Sequence, residues 1–450
     1  MMIGEAGKGF AIFFVVTMEI QKVKDIYATL PQCGAFMKAL ADPSVHSVFL
    51  DGLLASSASL FFASLAGRQR LTAVFVLQGA DEAGYFYHDL TQALGTGNVL
   101  FFPSSYRRAV KYGQRDAANE ILRTEVLSRL SSQAGGTPGE WLYVVTCPEA
   151  MSELVVSKKQ LDERTLQLSV GQTVNLVETE RTLRSFGFAE VDYVYEPGQF
   201  AVRGSILDVY SFSSELPFRI DFFGDEIDTI RTFEVQDQLS KARRDTVQIV
   251  PELSGTTEEK MPFTSFLPAD TMLVVKDLLF ACSAVEQIYA DGFSSQAMAE
   301  RLEGATEMEQ RQIMESMKKE NLLVSPSLFR DALKPFRIVE FGHSASLQPQ
   351  ATIRFSVTPQ PLFHKNFNLL ADSLEDYILK GYRLYILADS EKQTQRLRDI
   401  FDSDELRSAR AQTNAQKAVG ENASVADGLP FTPVDHTPVS YTHLTLPTKA

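Results

Sequence analysis

From residue 47 onward, short and continuously apolar runs alternate with amphipathic stretches, and this alternation restricts the possible folds more than any other feature. The runs at 47–50, 73–77, 99–102 and 141–146 are rich in Val, Phe, Leu and Tyr, as strands buried on both faces require. Between them, 81–94 places Ala83, Phe86, Tyr87, Leu90 and Leu94 on one helical face. The stretch 116–130 does the same with Ala117, Ile121, Leu122 and Leu130. Strands that alternate with helices predict a parallel sheet in an α/β layer. A helix over 18–41 precedes the series, and the Gly/Ser/Pro-rich stretch 131–139 reads as a surface loop.

The pattern changes near residue 158. One helix, 176–186, is followed by strand signals at 199–202, 205–209, 218–223 and 227–234, with Gly224-Asp225 as a hairpin turn between the last two. The α/β pattern resumes with an apolar run at 272–275 and a helical pattern over 278–318. An inserted α+β domain inside a split α/β domain accounts for the interruption. A small third unit follows, with a helix over 367–380 burying Phe367, Leu370, Leu374, Tyr377 and Ile378. After it come a strand at 382–388 and a helix over 391–401 capped by Asp389-Ser390. The expected division is an upstream extension, 1–17; the first part of the α/β domain, 18–158; the insert, 159–245; completion of the α/β domain, 246–340; a small α/β domain, 341–405; and a linker or non-native tail, 406–450. Several domains in 450 residues agree with roughly 150 residues per domain.

Charge excludes some functions. The chain has 43 basic and 57 acidic side chains, net −14, and the insert over 171–250 holds 8 basic against 14 acidic. A general nucleic-acid coat or polybasic membrane binder needs the opposite balance. The three cysteines, Cys33, Cys147 and Cys282, lie too far apart for a CxxC site, and the usage fits a reducing cytoplasm. The apolar run 10–16 is too short to span a bilayer.

Possible chemistry concentrates at 50–63, where a strand opens into a helix. A phosphate loop reads GxxxxGK followed by Ser or Thr. Aligning Gly52 with its first glycine puts Ser57 on the second glycine, Ala58 on the lysine and Ser59 on the hydroxyl residue. Without the ammonium group, nothing in this loop neutralises β- and γ-phosphates, so a structural turn is expected and no cofactor. The acids of 220–226 (IDFFGDE) read as solvated turn residues rather than a magnesium site. The six histidines form no ligand spacing. A local basic stretch, with Arg107, Arg108, Lys111 and Arg115 interleaved by Tyr106 and Tyr112, is the candidate DNA contact, weighed against a solvated face. In the insert, alternation sets Arg203 on the face opposite Phe200 and Val202, while Arg219, Asp221 and Phe223 share a face. An arginine displayed on a sheet is a common interface anchor, and an internal pair with Asp208 or Asp221 is an equal alternative by spacing.

Three segments together, FFPSSYRRAVKYGQRDAANEILRTEVL, EPGQFAVRGSILDVYSFSSELPFRIDFFGDEIDTIRTFE and LFHKNFNLLADSLEDYILKGYRLYILADSEKQTQRLRDIF, resemble the N-terminal region of bacterial transcription-repair coupling factors, the Bacteroidetes version most closely. The resemblance spans about 18–401, and the strand pair around FAVRGSILDVY is shared with the excision-repair protein UvrB. It implies a degenerate helicase-like α/β domain split by an insert that binds UvrA. It also implies transcription-coupled nucleotide excision repair as the function, with no ATPase activity in this portion. The UvrA-binding residues it implies are Arg203 and Arg219, with Phe200, Gly204 and Phe222 around them. Ala201 departs from the pattern, since UvrB has an arginine there. RNA polymerase, DNA, ATP and magnesium belong, by the same resemblance, to later domains whose motifs this sequence lacks, so a truncated reading frame with a foreign tail is expected. The alternative is a UvrB-like damage-binding ATPase.

Overall fold

A computed structural model describes residues 20–68, 72–105, 116–134, 141–253, 260–292, 318–359, 367–388, 432–435 and 444–445, with isolated positions between 306 and 314 and between 392 and 399. Seven strands lie side by side, all parallel, in the order Ala351–Arg354, Ser47–Asp51, Arg337–Gly342, Met272–Val275, Thr72–Val76, Leu142–Thr146 and Val99–Phe102. Chain from both sides of the insert therefore completes one sheet, and the fold is α/β. Every residue of TAVFV, LYVVT and MLVV is buried, because helices cover both faces of a parallel sheet. The helix Ser56–Leu65 is buried along almost its whole length. It carries Phe61 and Phe62 into an edge-to-face cluster with Phe36, Phe75 and Phe355, ring centroids 5.0–6.3 Å apart.

Several expectations are corrected. The helix over 18–41 is two helices, Ile20–Ala28 and Pro31–Ala41, because Pro31 has no N–H for a continuing turn and starts the second helix instead. Strand pairing carries the parallel sheet past residue 340, since Ala351–Arg354 pairs with Ser47–Asp51. The helix Ala117–Ala134 runs on into the expected loop at 131–139. The helix from Leu278 ends at Asp291, where Gly292 takes a φ of +58°. In the helix Phe367–Leu379, Leu370, Leu374 and Tyr377 are half-buried and Ile378 is exposed rather than buried. The third-unit strand is Tyr385–Ala388, and its parallel partner is Thr432–Asp435, in a region expected to hold no element. Val434 is buried there. Leu444–Thr445 likewise pairs with Thr358–Pro359. The extension 1–17 and the capped helix at 391–401 lie outside the described residues, apart from isolated positions of the latter.

The insert forms a separate six-stranded sheet, ordered Ser240–Arg244, Glu226–Phe233, Phe218–Phe223, Ile206–Val209, Gln199–Arg203 and Ala189–Glu190. All its pairs are antiparallel except the last. One face buries Phe200, Leu207, Val209, Phe218, Ile220 and Ile230, and Leu183 of the helix Leu176–Ser185 joins that core. Asn175 caps this helix by accepting from the Glu178 amide. Gly204 (φ +63°) and Gly224 (φ +66°) supply the left-handed residues of two tight hairpins. A further strand pair, Leu166–Ser169 with Thr246–Ile249, brackets the insert, and Gln248 Nε2 donates to Ser132 Oγ at 3.0 Å, tying it to the helix Ala117–Ala134.

Candidate partner-binding face

The other face of the insert sheet is built around Asp208 and is partly covered by the chain at 191–195, whose Val194 is buried with Ala201 and Phe233. Cross-strand register aligns Ala201, Asp208, Arg219 and Arg231 in one row. The Asp208 carboxylate is fully buried and takes a two-pronged pair from Arg219, Nε to Oδ1 at 2.7 Å and Nη2 to Oδ2 at 2.8 Å. Arg219 also donates to the Gln238 carbonyl at 3.0 Å and lies 4.4 Å over the Phe233 ring. Arg203 reaches the same Asp208 carboxylate, donates to the Asp192 carbonyl at 3.1 Å and lies 4.9 Å from the Tyr193 ring. Beside them, Asp221 accepts from Thr229 Oγ1 at 2.8 Å and pairs with Arg231. The internal pairing read from spacing is therefore present: Arg203 and Arg219 both pair with Asp208, and Asp221 pairs with Arg231, so the guanidinium groups are held in fixed positions on the sheet.

Of the residues implied by resemblance, Arg203 and Arg219 stand on this face, with Arg203 about one-third exposed. Phe200 and Phe222 do not. Both are buried in the insert core, so their effect on the face is to fix its shape, and neither ring reaches a partner. Gly204 sits at the hairpin tip, where its left-handed backbone, not contact, explains the glycine. The residue this set omits is Phe223, which is 83% exposed at the end of the strand Phe218–Phe223. The signal was present: Phe223 has the parity of Arg219 and Asp221, whereas Phe222 has that of Ile220. The IDFFGDE segment closes as a hairpin at Gly224 with Asp225 and Glu226 exposed, as its turn reading expects, but Asp221 is no solvated turn residue: it lies half-buried within the strand and pairs with Arg231.

The degenerate phosphate loop is filled by the protein itself. A Cβ on Gly52 (φ +77°) would meet the Phe355 carbonyl oxygen at 2.4 Å, where a phosphate loop needs open space. Ser57 Oγ donates to the Leu54 carbonyl at 2.5 Å, Ser59 Oγ donates to Asp89 Oδ2 at 3.0 Å, and Ala58 is fully buried. These residues do not fit a nucleotide with its magnesium ion. The variant Ala58→Lys, which restores the missing residue type, is expected to gain no ATP affinity in equilibrium dialysis. It should lose about 1–3 kcal/mol of stability from overpacking. Saturable ATP binding by that variant would contradict the filled-loop reading.

Arg107, Arg108, Lys111 and Arg115 lie outside the described residues. Two basic residues just beyond them are structural. Arg123 is buried, pairs with Glu153 at 3.3 Å and stacks 4.2 Å over Phe102, and Arg129 donates to Asn98 at 3.1 Å. Among the described residues, no three His, Cys, Asp or Glu side chains converge as a metal site, and no helix is long and apolar enough to cross a membrane.

Residues 166–254, which include this whole face, match the UvrB interaction domain. The chain is 29% identical over 213 residues to the transcription-repair-coupling factor of Bacillus subtilis, covering 47% of this chain and 18% of that protein. The corresponding Escherichia coli factor is 37% identical over 94 residues, covering 21% and 8%. The UvrABC system protein B of Thermotoga neapolitana is 25% identical over 225 residues, covering 47% and 33%. The chain thus spans about a fifth of the length of the coupling factor from Bacillus subtilis. The match to the UvrB interaction domain thus lies within a chain about half of which is similar to transcription-repair coupling factors.

Proposed function

We propose that this chain is the UvrA-recruiting module of a transcription-repair coupling factor, acting in cytoplasmic, transcription-coupled nucleotide excision repair. UvrA docks on the Asp208 face of the insert. RNA polymerase, DNA, ATP and magnesium are engaged by other parts of the longer proteins it resembles. The observation that supports this most directly is that one sheet face carries both an exposed aromatic, Phe223, and arginines already locked in place by a buried carboxylate. An aromatic and an arginine are the residue types that most often dominate binding energy, and a pre-ordered arginine loses little entropy when a partner arrives.

Titration of the purified chain with UvrA tests the reading. Phe223→Ala and Arg203→Glu are each expected to weaken binding by about 2 kcal/mol or more, roughly thirtyfold. Circular dichroism should stay unchanged for Phe223→Ala, because that ring contributes almost nothing to the core. Wild-type affinity in both variants, or no binding by the parent chain, would sink the proposal.

A further inference from the structure

The insert sheet has an interrupted edge. The strand Ala189–Glu190 pairs with Gln199–Arg203 only at Gln199 and Phe200, and the last bond of that ladder runs from the Val191 amide to the Phe200 carbonyl at 2.9 Å. Strand 199–203 alternates its backbone groups between its two neighbours, so the next amide and carbonyl on this edge are those of Val202. Instead of continuing the ladder, the chain at 191–195 turns across the Asp208 face, where Val194 packs against Ala201 and Phe233, and a cleft of about 660 Å³ is left beside the strand edge. Glu190, Val191, Asp192, Tyr193, Val202 and Arg203 line this cleft.

The polar lining has a definite sign. Arg203 is committed, with one guanidinium nitrogen on the Asp192 carbonyl and another on Asp208. Glu190 stands at the rim in a pair with Arg184. Asp192 is exposed, and among the described residues no side chain donates to its carboxylate. Tyr193 holds Arg203 near its ring and leaves half of its surface in solvent. An unpaired strand edge beside a free carboxylate and an exposed tyrosine suits an extended peptide carrying a basic side chain. The backbone would add to the sheet, and the cation would lie between Asp192 and Tyr193.

We infer that this cleft is a second docking point, which takes an extended, arginine- or lysine-bearing segment of a protein partner as an added strand at Val202. Because the cleft shares Arg203 with the face above, the segment belongs to the protein docked there, and to that extent the inference rests on the proposed function. Its test does not use UvrA. Fluorescently labelled, N-acetylated Val-Thr-Arg-Thr-Val amide is titrated with the full chain by anisotropy, alongside the same peptide with Glu in place of Arg.

The Arg peptide is expected to bind about tenfold more tightly than the Glu peptide, the factor that one exposed ion pair and one cation–π contact together supply. Asp192→Asn and Tyr193→Ala should each remove a large part of that preference. N-methylation of the central peptide amide should abolish binding by both peptides, since it blocks the ladder. Equal binding of the two peptides, binding of neither at millimolar protein, or an Asp192→Asn variant that keeps the full preference overturns the inference. UvrA binding that fails while the Arg peptide still binds would count against the proposed function alone.

Discussion

Asp208→Ala is expected to cost the insert about 3–5 kcal/mol, the usual penalty for stranding a buried charge. Asp208 is fully buried, and its two oxygens hold Arg219 on one side and Arg203 on the other. Arg219 is also largely buried, so after the substitution its guanidinium keeps only the Gln238 carbonyl and the Phe233 ring. Asp208→Asn should fall between, because an amide keeps the shape but gives up the charge. Replacing both partners, Asp208→Leu with Arg219→Met, should recover most of the loss, since a well-packed apolar pair can match a buried ion pair. The fluorescence of Trp141, the sole tryptophan, reports on the neighbourhood of Tyr143 in the parallel sheet and would miss this event. Hydrogen exchange at the amides of 218–223 is the suitable measurement, and protection there should drop by two orders of magnitude or more. Unchanged protection would show that the face is not organised by Asp208.

That substitution also separates two roles that one carboxylate performs. Arg203 and Arg219 would remain on the chain with their charges intact, yet no longer in fixed positions. If UvrA binds through pre-ordered arginines, Asp208→Asn weakens capture although no contact residue has changed. If charge alone mattered, capture would persist. The insert has an acidic total over 171–250, so its positive surface depends on where these arginines are held.

Much of this was legible in the sequence, and the reasons differ by element. Strands such as Met272–Val275 and Val99–Phe102 were readable because burial on both faces demands uninterrupted apolar side chains. The hairpin after Phe223 was readable because Gly224 marks a position where a left-handed residue closes a two-residue turn, whereas the equivalent role of Gly204 shows only in the structure. The strand Thr432–Asp435 was not. In TPVD only Val434 is a large apolar residue, and its pairing with Tyr385–Ala388 is decided by tertiary contact that no local periodicity encodes. Ala351–Arg354 was missed in the same way: a short edge strand, half exposed, leaves no apolar run to find. At the candidate face, parity alone separated inward Phe222 from outward Phe223. The pairing of two arginines on one buried aspartate, however, needed the strand register Ala201, Asp208, Arg219, which spacing suggests but cannot choose over Asp221. The edge cleft was hidden because it depends on where a ladder stops.

Glu125 should make stability depend on pH near neutrality. It lies on the helix Ala117–Ala134, where the insert meets the α/β layer, and burial pushes its carboxyl up to about 7. The neighbouring Glu215 charge, from the insert, adds to the rise, and Arg129 opposes it. Burial, and after it the same pair of acids, raises the Tyr87 hydroxyl, so two groups report one acidic junction. Because the folded value lies above the unfolded carboxylate range, the folded state binds the proton more tightly than the unfolded chain does. The associated stability is complete below about pH 4.5 and is lost as pH rises through about 7. The whole swing is at most about 3 kcal/mol, from 1.36 kcal/mol per pKa unit, and partial solvent access reduces it. Glu125→Gln is expected to be near neutral at pH 5 and stabilising by about 1–2 kcal/mol at pH 8. Urea titrations of both proteins at pH 5, 6, 7 and 8 give the comparison. A difference that stays constant across that series would mean the junction carries no titrating carboxyl. A growing difference would mean that loading the junction with charge loosens the insert from the layer that carries it.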